Sequence, residues 1–102
     1  MTLTSHPSED GSAITISIDG NFDYTLYKGF RDAYQKGLSE GVTKFILNLS
    51  KTKYMDSSAL GMLLVLKDRS DYGNITVTIK NCNKEIKNIL AISNFEKLFS
   101  IE

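Results

Sequence analysis

The sequence predicts an α/β domain built on a mainly parallel, mixed central sheet of four to five strands with crossover helices. Short apolar runs of strand character alternate with helically spaced apolar stretches along the whole chain, and such alternation favours parallel strands joined by helices. The breaks between them are brief turn signals, with no long linker, low-complexity tract or internal repeat. At 102 residues the chain suits a single domain, residues 1–102, with one core.

A polar N-terminal arm, Met1 to Pro7, precedes the first strand and is expected to be mobile. Ala13-Ile14-Thr15-Ile16-Ser17-Ile18 then alternates with period two, placing three isoleucines on one face. Asp19-Gly20-Asn21 is expected to end that strand. Apolar residues recur at helical spacing through Leu26, Phe30, Ala33 and Gly37, with Tyr27, Tyr34 and Leu38 widening the stripe. Gly41 punctuates the turn before a buried strand at about 43–49, and a loop over 50–56 leads into a buried helix at about 57–69. Tyr72-Gly73-Asn74 reads as the next turn. Ile75 to Ile79 alternates as a strand, Ile86, Ile89 and Leu90 mark one face of a helix over about 84–92, and a last short strand falls within 98–101.

Composition excludes several function classes. Twelve Lys and Arg balance twelve Asp and Glu, giving zero formal net charge, so the basic stripe that dominates nucleic-acid affinity is missing. The lone Cys82 has no second Cys or His at metal-ligand spacing, so no metal or redox site is expected and a reducing compartment is. The first residues lack the basic start and apolar stretch of a signal peptide, and no apolar run approaches membrane-spanning length. A cytoplasmic protein acting at neither membrane nor nucleic acid is the expectation.

Tyr54-Met55-Asp56-Ser57-Ser58-Ala59-Leu60-Gly61 carries the most information. It sets an acidic and hydroxyl cluster between two core elements, at a strand's carboxyl end and a helix start, where sites of open α/β sheets gather. Gly20-Asn21-Phe22-Asp23 follows the first strand, and right-handed crossovers place both loops at one edge. Asp, Ser and Ser are all good N-caps, so capping alone accounts for some of the cluster. Enzymatic chemistry is poorly supported. The only histidine, His6, lies in the arm, there is no nucleophile elbow or P-loop, and nothing brings Asp23 and Asp56 together in a cleft. Phosphorylation of Ser57 needs only an exposed hydroxyl, and a phosphate at a helix N-terminus is tolerated by the dipole and free amides. Beside Asp56 it would alter an interface and leave the fold standing. Gly61, costly inside a helix, points either to close internal packing or to the approach of a partner backbone. Met55 is of a type found more often in a core or at a rim than as a recognition hot spot, and Tyr24, Tyr27 and Tyr34 suit core or half-buried positions, an exposed aromatic there suiting a partner surface.

Along almost its whole length the chain resembles the STAS family of anti-sigma factor antagonists. Gly20-Asn21-Phe22-Asp23 is similar to that family's turn after the early strand, and Met55-Asp56-Ser57-Ser58-Ala59-Leu60-Gly61 to its phosphorylation loop, with Ala59 in place of the commoner glycine. The resemblance implies a STAS-like fold with Ser57 as phosphoacceptor and Asp56 as its acidic neighbour. Asp23, Tyr54, Met55, Asp56, Ser58 and Gly61 then form or border the partner-binding edge. It implies a non-enzymatic switch that needs no cofactor. The unmodified form binds an anti-sigma factor or similar regulatory target, a serine kinase of the histidine-kinase-like ATPase fold phosphorylates it, and a PP2C-type phosphatase resets it. ATP and magnesium belong to the kinase. The run Asn88 to Phe99 further resembles a proteobacterial branch controlling biofilm formation, motility and secretion. Other STAS-like domains imply an alternative, a sensor of nucleotides or lipids, and a scaffold subunit untouched by phosphorylation is a third reading.

Overall fold

The computed structural model describes residues 2–102, in which three α-helices cover one face of a six-stranded, mainly parallel sheet. β1 (Thr2–Pro7) runs antiparallel to β2 (Ala13–Phe22), and β3 (Lys44–Asn48), β5 (Thr76–Lys80) and β6 (Ser100–Ile101) continue the sheet in parallel in the order β1-β2-β3-β5-β6. β4 (Thr52–Met55) pairs in parallel with the far end of β2. The helices are α1 (Tyr27–Ser39), α2 (Ser57–Gly73) and α3 (Lys84–Ile92).

Period-two patterning places Ile14, Ile16 and Ile18 of β2 beside Phe45 and Leu47 of β3 and Ile79 of β5, all buried under the helices. The intervening Thr15, Ser17, Lys44, Ile46 and Asn48 are only half-buried, so β3 is covered on one face and its Ile46 lies on the other. From α1, Phe30, Ala33, Tyr34 and Gly37 are buried. Gly37 is required there. A Cβ at this position would stand 2.8 Å from the Phe45 ring and 3.0 Å from the Ile14 side chain, so the missing methyl lets α1 lie close on the sheet. Cys82 is half-buried, and burial pushes its thiol pKa up.

Four sequence expectations are corrected. The N-terminal arm is an edge strand with an unbroken register from Thr2↔Asp19 to Pro7↔Ile14, so His6 lies opposite Thr15 in a sheet. Its connection is tied by Asp10, whose carboxylate accepts from Ser8 Oγ (2.7 Å), Ser12 Oγ (2.7 Å) and the Ser12 N–H (3.0 Å). Those bonds stabilise the charged form and hold its pKa at about 2. The first strand does not stop at Asp19-Gly20-Asn21. At Gly20, with φ of 96°, β2 continues and takes β4 as its partner, and a register shift between Gly20 and Asn21 leaves Lys53 of β4 as the extra residue. The 50–56 loop contains β4, missed because its buried–exposed–exposed–buried order does not alternate. The second helix runs past residue 69 to Gly73, supported by the Lys67–Asp71 pair at 3.0 Å and capped by left-handed Asn74, whose N–H donates to the Ser70 carbonyl.

Candidate functional site

The two loops singled out in the sequence are neighbours because β2 and β4 end side by side. Asn21 pairs with Tyr54, Phe22 pairs with Met55, and the Asp56 N–H donates to the Phe22 carbonyl at 3.3 Å. Phe22 is fully buried and packs on Phe30 at 5.5 Å between ring centroids, with Phe30 on Tyr34 at 5.8 Å, so the turn is anchored to α1.

Each loop then opens a helix with an aspartate cap. Asp23 accepts from the Thr25 N–H (3.0 Å) and the Thr25 hydroxyl, starting a 3-10 turn at Tyr24–Leu26 that runs into α1. Asp56 accepts from the Ala59 N–H at 3.0 Å, starting α2. Both carboxylates therefore satisfy otherwise unpaired first-turn amides, and the capping role anticipated for the acidic cluster falls to Asp56. Asn83 does the same for α3, accepting from the Ile86 N–H (2.9 Å) while its Nδ2 donates to the Thr52 carbonyl (2.9 Å). It ties α3 to the strand that carries the site. Sequence reading did not single it out, although an Asn before a helical stripe is an N-cap signal.

Ser57 is the first residue of α2 and is exposed, with no hydrogen-bond partner for its hydroxyl among the described residues. Tyr54 is also exposed, Asp56 and Ser58 are half-buried, and Gly61 is exposed one turn along α2. Met55 departs from the expected interface. It is 2% exposed, because β4 turns it into the core while Lys53 and Tyr54 face out, so its side chain is not offered to a partner. Of the aromatics on α1 and its lead-in, Tyr34 is buried while Tyr24 and Tyr27 are 71% and 53% exposed. The Arg31 guanidinium lies over the Tyr27 ring, 5.5 Å from its centroid.

A shallow groove of about 490 Å³ runs between the start of α1 and α2, lined by Tyr24, Tyr27, Ser58, Gly61, Met62 and Val65. No charged side chain is among them. An added Cβ at Gly61 would meet nothing within 4 Å, so internal packing does not explain this glycine. Leu64 and Val65, expected inside a buried helix, are 45% and 48% exposed. One face of a helix cannot bury five consecutive apolar residues. Ala59, Met62, Leu63 and Leu66 face the core, which leaves Leu64 and Val65 beside Gly61 on the solvent side. The 57, 61, 64, 65 spacing held that signal. No group of three or more His, Cys, Asp or Glu that could hold a metal ion occurs among the described residues. No helix among them is long and apolar enough to cross a membrane.

Comparison with known proteins agrees with this architecture. The model of the STAS domain matches residues 7–102. A STAS-domain containing protein of Pseudomonas aeruginosa (strain UCBPP-PA14) is 45% identical over 101 residues, covering 99% of both chains. Among solved structures, the anti-sigma factor antagonist SpoIIAA in its unphosphorylated form superposes with a TM-score of 0.80 at 16% identity, covering 99% of this chain and 87% of that one. The Bacillus cell fate determinant SpoIIAA in its phosphorylated form gives a TM-score of 0.77 at 16% identity, with 99% and 91% coverage. At that identity the likeness speaks for the fold.

Proposed function

Because the chain belongs to the STAS domain family, we propose that it is an anti-sigma factor antagonist working as a partner switch controlled at Ser57. The unmodified protein binds an anti-sigma factor or similar regulatory target through the edge formed by Asp23, Tyr54, Asp56, Ser58 and Gly61, together with the adjoining groove. A serine kinase of the histidine-kinase-like ATPase fold phosphorylates Ser57, and a PP2C-type phosphatase restores the binding form. The protein acts in the cytoplasm by binding, with catalysis left to its regulators and no cofactor of its own. Biofilm, motility or secretion control is the output that suits its resemblance to the proteobacterial branch.

The observation that carries this reading is the position of Ser57. Its hydroxyl is exposed at the first residue of α2, beside an uncharged apolar groove. A phosphate adds roughly −1.5 to −2 charges, and the α2 amides and dipole tolerate it, so the fold persists. A target seated across the groove would have to bury that charge without a matching cation from this chain's lining residues, which is costly. Modification acts on the complex.

The test compares Ser57→Ala with Ser57→Asp against the target that co-purifies with Ser57→Ala. Retained binding by Ser57→Ala and at least tenfold weaker binding by Ser57→Asp is expected. Equal affinities, with both variants folded, would sink the switch.

A further inference from the structure

We propose that β1 is a self-association edge, at which two copies of this chain pair β1 with β1, antiparallel about a two-fold axis, and so continue the sheet from one copy into the other. β1 ends the strand order, and its outer side has no strand partner among the described residues.

The direction of its backbone groups follows from one bond beyond the strand. The Ser8 N–H donates to the Ala13 carbonyl at 2.8 Å, extending the register one step past Pro7↔Ile14. Antiparallel ladders alternate hydrogen-bonded with non-hydrogen-bonded pairs. His6 and Thr4 therefore exchange bonds with Thr15 and Ser17, and the N–H and C=O groups of Leu3 and Ser5 point away from β2. Pro7, with no N–H, stops the free edge at its far end.

An edge of this kind is usually protected by charge, a bulge or a covering element. β1 contains no Lys, Arg, Asp or Glu, its register with β2 is unbroken, and Thr4, Ser5 and His6 are exposed. The opposite edge, β6, is only two residues long and is flanked by the Lys80–Glu102 ion pair at 3.7 Å. Zero net charge removes the long-range repulsion between copies.

A two-fold axis through Thr4 sets Leu3 of one copy against Ser5 of the other, and the reverse, so that every outward N–H and C=O of these residues is paired. Thr4 then faces Thr4 of the second copy as a non-hydrogen-bonded pair, where Cα atoms lie about 4.5 Å apart and Thr–Thr contacts are favourable. A strand this short buries far less than the roughly 1,200 Å² of a standard interface, so the dimer is weak.

Sedimentation equilibrium and NMR diffusion of the full chain from about 10 μM to 1 mM test the proposal. Dimer formation is expected to rise across this range. Thr4→Lys places two ammonium groups opposite each other, and Ser5→Pro removes an outward amide while leaving the bonds to β2 intact. Each should weaken association at least tenfold while keeping the wild-type circular dichroism spectrum. Val65→Asp, in the α2 groove, should leave association unchanged. A monomer at about 1 mM overturns the proposal, as does a dimer indifferent to Thr4→Lys and Ser5→Pro, or one abolished by Val65→Asp. If either β1 variant unfolds, cross-linking through Thr4→Cys in a Cys82→Ser background, with Cys82→Ser alone as the control, replaces it. A disulfide-linked dimer of the folded protein supports the pairing, and no cross-link at 1 mM refutes it.

Discussion

Replacing Gly61 by Ala separates stability from binding at one atom. Gly61 lies within a 17-residue helix, and a Cβ there meets nothing within 4 Å. The substitution therefore brings the helix-propensity gain of about 1 kcal/mol with no steric cost in the free protein. Unfolding entropy is about 2.1 cal/mol/K per residue, which over 102 residues comes to about 0.2 kcal/mol/K. The expected rise in Tm is thus about 5 °C. In a complex the same methyl intrudes on whatever lies against this part of the groove. Overpacking costs about 1–3 kcal/mol, which corresponds to about 5- to 150-fold weaker target binding. Calorimetric melting gives the first quantity and titration calorimetry with the co-purified target gives the second. Gly29→Ala is the control, because a Cβ at Gly29 also meets open space and the residue does not line the groove. It should be neutral to stabilising and should bind normally. A fall in Tm for Gly61→Ala would refute the claim that no internal packing demands this glycine. Unchanged affinity would refute its place in the interface.

Gly37→Ala should do the opposite, lowering stability by about 1–3 kcal/mol because the new methyl overlaps the buried Phe45 ring and Ile14; thermal melting checks it. Asp56→Ala removes the cap on Ala59 N–H and should cost about 0.5–2 kcal/mol, whereas Asp56→Asn should retain most of it, as read by urea titration. Ser57→Asp should leave the fold intact and raise stability by about 0.3–1 kcal/mol, from a negative charge in the first turn of α2. Loss of secondary structure in that variant would argue against a modification that acts only on the interface. Lowering the pH toward 2 protonates Asp10, whose native pKa is depressed. The stabilisation this carboxylate gives the β1–β2 connection is present above its ordinary pKa near 3.8 and is lost as pH falls through about 2. Backbone amide exchange at Ser12 should quicken there relative to Asp10→Ala, in which the bond is already absent.

The elements that were legible in the sequence are those with strong periodicity. Ile14, Ile16 and Ile18 marked β2, Phe30, Ala33 and Gly37 marked the buried stripe of α1, and Ile86 and Leu90 marked α3 at its observed bounds. What escaped was structure set by partners distant in sequence. β1 is polar because it lies at the sheet edge, and only its register with β2 makes it a strand. β4 exists because the far end of β2 continues past Gly20 to receive it. The adjacency of the two loops was legible through crossover handedness, and the capping role of the acidic cluster through residue type. The placement of individual side chains was not. Met55 is buried because a short strand turned it inward, and the groove depends on Tyr24 and Tyr27 standing beside α2, a tertiary juxtaposition that no local pattern encodes.

The central claim is that Ser57 carries a reversible phosphate. Intact-mass analysis and phosphopeptide mapping of the protein isolated from its native cells, with a phosphatase-treated control, test it most directly. The account predicts a phosphatase-sensitive addition located on Ser57, whereas an unmodified Ser57 under several growth conditions, or a phosphate only on other residues, would contradict it.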